Sequence, residues 1–396
     1  MSDLTVRDLG TLFDGPHATP KRIESGPYFL NIASLNGGRL ELDQSDHVSE
    51  MDFQKWTKRV EPTEGDLLFS YETRLGEAAL MPADVRACLG RRMALIRPNR
   101  SVVDPKFLLY YYLSPGFQRT IEQHTIHGAT VNRISLSTMG AWPVSIPSLD
   151  EQQAIAQVLG ALDDKIAANT KLAATADALA TTQFHKAVHG IAVSDQNFGD
   201  IAMVSGGGTP STTVLEYWDG DIHWATPTDV TPLQGPYLET TNRMISHAGL
   251  SACASSLYPP GSILMTSRAT IGAFAIAQTP MAVNQGFIVV QPTDPALRYW
   301  VFHEMRSRVD EFISLANGAT FLELNRANFK KIKVRLADSR VMEEFGRQAE
   351  TLHAIARNAL RENAKLAETR DALLPPLMSG KLRVRDAEKI LENAGV

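Results

Sequence analysis

The chain has 396 residues, 44% of them hydrophobic, with 39 Lys and Arg against 44 Asp and Glu and a formal net charge of −5. One hydrophobic core seldom grows past about 250 to 300 residues, so the length predicts a multidomain globular protein, and the slight acidic balance excludes a broad basic surface, so that any contact with nucleic acid has to be local. Only Cys88 and Cys253 are present, with no C-x-x-C and no histidine at metal-ligand spacing, which excludes a disulfide framework and a structural zinc site.

Along the chain, residues 1–149 and 191–337 read as two domains built from short apolar runs broken by Gly, Pro and Asn, among them VSIP, ILMTS and FIVVQP. Such runs predict many short strands joined by turns. Between and after them lie two segments with apolar residues at three- and four-residue intervals, the pattern of an amphipathic helix. The first, 150–190, places Ile155, Val158, Leu159, Leu162, Ile166, Leu172 and Leu179 on its seam; the second, 338–396, places Val341, Phe345, Leu352, Ile355, Leu360, Leu366 and Leu373 there. Pro375 and Pro376 are expected to stop the second helix. At roughly 35 residues each, these helices would span about 50 Å, and seams so sparse are best buried against each other. The opening MSDLTVRDLG carries charges and no apolar stretch, and nowhere do about 18 uncharged apolar residues follow one another. The expectation is a cytoplasmic chain with no membrane partner.

The two halves repeat. KLAATADAL at 171–179 returns as KLAETRDAL at 365–373, with seven of nine positions identical across 194 residues. Upstream, GDLLFSYETRLGEAAL (65–80) matches GSILMTSRATIGAFAI (261–276), and HGATVNRISLSTMGAWPVSIP (127–147) matches NGATFLELNRANFKKIKVRLA (317–337). A tandem repeat of domain and helix makes a pseudodimer. The expected fold is therefore α+β: two similar mixed α/β recognition domains separated by two long antiparallel helices, with pseudo-two-fold symmetry. Two units held a fixed distance apart across a two-fold suit two DNA half-sites, and because the domains differ in sequence the half-sites should differ too. The four blocks carry net charges of −1, −2, −2 and 0, so none is a basic tail.

DGPHATPK (14–21), GGGTPST (206–212), YWDGDIHWATPTDV (217–230), TSRATIG (266–272), VNQGF (283–287), NGATFLELNRANFKKIKV (317–334), EQQAIAQVLGALDDKI (151–166) and LLPPLMSGKL (373–382) together resemble the specificity (S) subunit of type I restriction-modification systems, over essentially the whole chain and in that family's order. The resemblance implies two target-recognition domains with spacer helices between them, acting in phage defence. It implies double-stranded DNA as one partner, two adenine-N6 methyltransferase (M) subunits as others, and restriction (R) subunits that translocate DNA. It implies no cofactor on this chain, with S-adenosylmethionine, ATP and Mg expected on the partner subunits.

The residues themselves carry no catalytic signature. There is no N-P-P-Y or D-P-P-F tetrapeptide: Pro259 and Pro260 sit in YPPG. A Walker loop ending at Gly380-Lys381 would need glycine at position 375, which is Pro375. Gly206, Gly207 and Gly208 lack the spacing and acidic follow-up of a dinucleotide site and read as a turn. No Ser, His and Asp set has a supporting local pattern. The expectation is a non-catalytic, metal-free chain.

Base edges in the major groove are read by Arg, Lys, Asn and Gln and less sharply by Ser and Thr, while phosphates accept from Lys, Arg and hydroxyls. In the second domain those residue types cluster as Thr209, Ser211 and Thr212; Thr228 and Asp229; Ser267, Arg268 and Thr270; Asn284 and Gln285; Asn325 and Arg326. In the first domain the candidates are His17, Lys21 and Arg22; Tyr71 and Arg74; Asn132 and Arg133. Against each stands the use of such residues to satisfy turn backbone. RANFKKIKVR (326–335) adds Lys330, Lys331 and Lys333, either as phosphate contacts or as the lysines that blunt a strand edge. Arg86, Arg91, Arg92, Arg97 and Arg100 form a comparable group in the first domain at a position that is not equivalent. Asp163, Asp164 and Lys165 are expected to pair across the helices with Arg357, Arg361 and Lys365. Two other classes fit the same residues: a structural adaptor whose helix pair spaces two protein-binding domains, and an enzyme without a familiar motif.

Overall fold

The computed structural model describes residues 4–128, 130–318 and 322–394. Ala129, Ala319, Thr320 and Phe321 of the paired HGAT and NGATF stretches lie outside them. By internal contacts the chain divides into two units, Met1–Ile166 with Lys365–Val396, and Ala167–Ala364. Two helices, Leu149–Val188 and Ser339–Met378, each of 40 residues, contribute to both units.

In the first unit a four-stranded antiparallel sheet runs in the order Gly10–Asp14, Met93–Pro98, Leu67–Ser70, Ala78–Leu80. LLF (67–69) and MALI (93–96) are continuous apolar runs because both faces of the sheet are covered. Side chains alternate along each strand. Leu67, Phe69, Ala94 and Ile96 face a core with Phe107, Tyr112, Ile155 and Leu159, whereas Leu68, Ala79, Met93 and Leu95 face Leu30, Leu35, Ala87 and Leu89. The latter come partly from a three-stranded sheet ordered Asp46–His47, Ile23–Leu30, Ala87–Leu89.

The second unit repeats this plan. Its main sheet runs Ala202–Gly206, Phe287–Pro292, Ile263–Thr266, Phe274–Ala277, and gains Tyr237–Leu238 at one edge; its small sheet runs Met244–Ile245, Trp218–Ala225, Met281–Val283. Even register is shared. Tyr28 pairs with Ala87 and Leu30 with Leu89 in parallel, as His223 does with Met281 and Ala225 with Val283. The middle strand of each small sheet carries an irregularity, between Ile23 and Tyr28 and between Trp218 and Ile222. Bulges of this kind re-aim side chains and are common beside functional sites.

The helices pair antiparallel in the second unit. Thr170 meets Asn363 by a 2.9 Å hydrogen bond, and Phe184 meets Phe345 with ring centroids 5.5 Å apart. The contact face differs from the expected Leu seam. Ala173, Ala176, Ala180 and Phe184 are buried, while Leu172 and Leu179 are 48% and 46% exposed; on the partner helix Ala349, Ala356 and Ala359 are buried while Val341 and Ile355 are 41% and 40% exposed. The buried positions continue the three- and four-residue spacing set by Leu162 and Ile166, and the leucines fall one position off it. In the first unit the apolar reading stands: Ile155, Val158, Leu159, Leu162 and Ile166 share a core with Leu366, Leu373 and Leu377.

Pro375 and Pro376 do not stop the second helix, which runs to Met378. Each removes one backbone donor, and the last turn survives this. Termination falls instead at Gly380, whose φ of 67° lies in the left-handed region and whose N–H donates to Leu377 O at 3.1 Å. The expected ion pairs also differ: Asp163 Oδ1 accepts from Arg370 at 2.7 Å and Asp163 Oδ2 accepts from the Tyr110 hydroxyl at 2.6 Å, while Arg361 pairs with Glu239.

A buried polar cluster ties the β domain of the second unit to its helix. His303 and His353 approach through their Nε2 atoms at 3.0 Å, and Tyr237 OH meets His353 Nδ1 at 2.7 Å. Burial, with the neighbouring ring, holds His303 well below the ordinary histidine range, and burial lowers His353 to about 4. Both imidazoles are therefore neutral near pH 7. Cys88 is free and buried, its thiol pushed up to about 12 by burial, and so is chemically inert.

Candidate nucleic-acid interface

The loop after Ala202–Gly206 is held from four directions. Gly208 N donates to Val283 O at 3.1 Å, Trp224 Nε1 to Gly208 O at 3.1 Å, Trp218 Nε1 to Ser211 O at 3.1 Å, and the Tyr258 hydroxyl to Gly206 O. Glycine is required at 207, where a Cβ would lie 1.9 Å from Val283 O. Gly206–Gly208 thus serve as a turn whose backbone groups are taken up. Thr209, Ser211 and Thr212 are exposed on this loop, and the Thr209 hydroxyl donates to Gln285 Oε1 at 2.6 Å.

Beside the loop opens a polar cleft of about 160 Å³ lined by Ser267, Arg268, Gln285, Glu323, Asn325 and Arg326. Arg268 pairs with Glu323 at 2.8 Å, both side chains being nearly half exposed. Arg326 is exposed and has no ion-pair partner among the described residues. Ser267 is buried, and its backbone bonds Gly286 and Leu324, which fixes Arg268 in place. Asn325 caps the helix Arg326–Lys330 by accepting from Ala327 N at 2.7 Å, and Asn284 accepts from Gly286 N at 2.8 Å. These two asparagines carry out the turn role that competes with base reading. Thr270 is exposed but does not line this cleft.

Thr228 is exposed, but Asp229 is buried, and its carboxylate accepts from Thr226 N at 2.8 Å, from the Thr226 hydroxyl at 2.6 Å and from Asn242 N at 2.9 Å. Asp229 therefore organises the loops around it. Lys330 and Lys331 are exposed at the end of the capped helix, and Lys333, on the strand Lys333–Arg335, reaches Asp195 at 3.2 Å. Arg335 is bound to the buried Glu304 at 2.8 Å.

In the first domain, a cleft of about 540 Å³ is lined by Thr19, Arg22, Asn31, Gln44, Asp46, Arg91 and Arg92 among others. Arg22 pairs with Asp46 at 3.1 Å, and Arg92 with Glu72 at 3.0 Å. Arg91 is exposed and unpaired among the described residues, so the sequence-stretch Arg91-Arg92 contributes to this cleft where Arg86, Arg97 and Arg100 do not. His17 is exposed 3.7 Å from Asp14, and Lys21 is exposed. Tyr71 is buried, which raises its hydroxyl above the ordinary range, and its carbonyl accepts from Ile134 N at 3.0 Å. Arg74 is committed to Ile32 O at 2.9 Å and to Glu77. Asn132 and Arg133 are exposed, and the Asn132 carbonyl accepts from Thr73 N at 3.0 Å.

The two domains thus share a scaffold and differ in what it presents. At the same backbone bridge the first has Glu72 opposite Arg133 and the second has Arg268 opposite Glu323. The charges are exchanged. Among the described residues no group of three His, Cys, Asp or Glu converges as a metal set, and no helix is long and apolar enough to cross a membrane.

The family model for the type I restriction modification DNA specificity domain matches this chain twice, over residues 11–176 and 194–367. The chain belongs to that family. It is 36% identical over 137 residues to the type I restriction enzyme MjaIX specificity subunit of Methanocaldococcus jannaschii, a match spanning 34% of this chain and 32% of that one. Over its full extent it is 19% identical to the putative MjaX specificity subunit of the same organism, covering 97% and 94%, and 21% identical to the HindI specificity subunit of Haemophilus influenzae, covering 80% and 86%. The crystal structure of a type I S subunit from M. genitalium shares the fold, with a TM-score of 0.57 at 16% identity over 95% of this chain and 96% of the other. As a specificity-family member with two copies of its domain, the chain takes part in DNA sequence recognition. The Trp218, Trp224 pair beside the Thr209–Thr212 loop is a feature of the candidate interface that residue clustering in the sequence did not single out; the two tryptophans six residues apart in YWDGDIHWATP were the available signal.

Proposed function

We propose that this chain is the non-catalytic reader of a bipartite, asymmetric site in double-stranded DNA. Each recognition domain reads one half, and the helix pair sets the gap between them. One observation carries the reading: a scaffold repeated down to strand register presents opposite charges at the same bridge, Glu72 with Arg133 and Arg268 with Glu323. Identical halves would read a palindrome, whereas different loops on one frame read different sequences. Helices of 40 residues are about 60 Å long, more than one turn of duplex, enough to act as a ruler.

In this reading two methyltransferase subunits and restriction subunits assemble with the chain and act on the site it selects. S-adenosylmethionine, ATP and Mg belong to those partners. The test is to exchange residues 1–149 for the matching segment of a relative with another target and map the methylated motif. One half of the motif should change while the other half and the gap persist. An unchanged motif, or a change in both halves, would overturn the assignment of one half to each domain.

A further inference from the structure

In the second domain the Arg243 guanidinium lies 3.6 Å above the centre of the Trp218 ring and 5.5 Å from that of Trp224, and the two indoles meet edge to face at 5.2 Å. Arg243 is exposed, and among the described residues no carboxylate pairs with it. Its backbone is held on both sides. The Arg243 carbonyl accepts from Trp224 N at 3.2 Å and from the Thr241 hydroxyl at 2.7 Å, while the preceding Asn242 N–H is taken by the buried Asp229 at 2.9 Å. The same two indoles donate to Ser211 O and Gly208 O, so Arg243 and the exposed Thr209–Thr212 loop are fixed to one another through Trp218 and Trp224.

Stacking on an indole occupies the face of a guanidinium and leaves its in-plane N–H groups free. A planar fork of donors, unpaired and already immobilised, suits a pair of acceptors: the O6 and N7 of a guanine, or two oxygens of a phosphate. Most other arginines of this unit are spent on carboxylates, as Arg268, Arg306, Arg308, Arg335 and Arg361 are. Among the described residues the first domain stacks no arginine on an indole; its Arg86 lies 4.6 Å above the Phe53 ring but is paired with Glu50. Where its small sheet carries the matching edge, Asp46 is neutralised by Arg22.

We propose that Arg243, held on Trp218, is a DNA-contacting residue of the second domain that engages a two-acceptor edge of the duplex. This rests on the reading that the second domain meets one half-site. The experiment is to express R243L and R243K in place of the wild-type chain, map methylated motifs in the host, and measure duplex affinity of the isolated complex against salt. With a guanine contact, R243L relaxes one base pair of one half-site, lowers affinity about tenfold or more, and is not rescued by lysine, which lacks the fork. With a phosphate contact, R243L keeps the motif, weakens binding to all sequences, lowers the salt slope by about one, and is largely rescued by lysine. Either result supports the contact. If R243L retains motif, affinity and salt slope, the proposal is wrong. The other half-site serves as the folding control, and if the wild-type chain directs no bipartite motif at all, the functional reading fails and this contact with it.

Discussion

Asn169 and Asn363 occupy equivalent positions of the repeat, and each donates its side-chain amide to the opposite helix, Asn169 to Glu362 at 2.8 Å and Asn363 to Thr170 at 2.9 Å. Both are buried, 5% and 8% exposed, amid alanines that set no register of their own. Buried asparagine between helices favours one alignment over its neighbours. Replacing both with alanine should cost about 1 kcal/mol for each hydrogen bond, read as a lower urea midpoint. On the proposed reading, a gap of one length in the wild type should then become mixed. A lone, unchanged gap would show that Phe184 and Phe345 alone fix the alignment.

Lengthening the ruler is a separate test. About four residues inserted between Ala168 and Lys171 add about 6 Å of helix. The two half-sites should stay as they are and the gap between them should grow. A fixed gap would refute the ruler role of the helices.

The His303–His353 pair makes the second unit acid-sensitive. Both imidazoles have lowered values in the folded state, His353 about 4, whereas the unfolded chain titrates near the ordinary 6.5. The unfolded state therefore binds more protons as pH falls below 6.5, so stability is complete above that value and is lost toward pH 4. The loss should reach about 2 kcal/mol per histidine at pH 5. His303→Phe, placed among Phe184, Phe302 and Phe345, should flatten the pH dependence by roughly one proton in urea titrations between pH 7 and 5. An unaltered slope would assign the acid sensitivity to other groups.

Arg326 stands in the cleft beside the GGGTP loop without an ion-pair partner among the described residues. R326A should weaken duplex binding several-fold and lower the salt slope by about one if it meets a phosphate. Lys333, already 3.2 Å from Asp195, should matter less to the same measurement. Equal effects from the two would argue against the cleft as the contact surface.

Much of this organisation was legible in the sequence because it repeats: KLAATADAL and KLAETRDAL mark the same stretch of the two long helices, and GDLLFS and GSILMT the same strand. The helix contact was not, because hydrophobicity ranks leucine above alanine, whereas close helix approach selects Ala173, Ala176, Ala356 and Ala359 and leaves Leu172 and Leu179 outside. The helix end was misplaced because proline is a weaker stop in a last turn than the glycine that follows. Asp229 looked like a free polar loop residue, but its two-sided backbone bonding to Thr226 and Asn242 depends on segments 13 residues apart. The Arg243 stack was hidden for the same reason, since Trp218 and Arg243 meet only once the small sheet has formed.

The most direct test is to map methyladenine across the host genome at single-molecule resolution, with this reading frame intact and deleted. One bipartite motif with a nonspecific gap should lose its methylation when the frame is removed and regain it on complementation. If the methyltransferase partner is expressed and no adenine motif changes, the chain does not select the site.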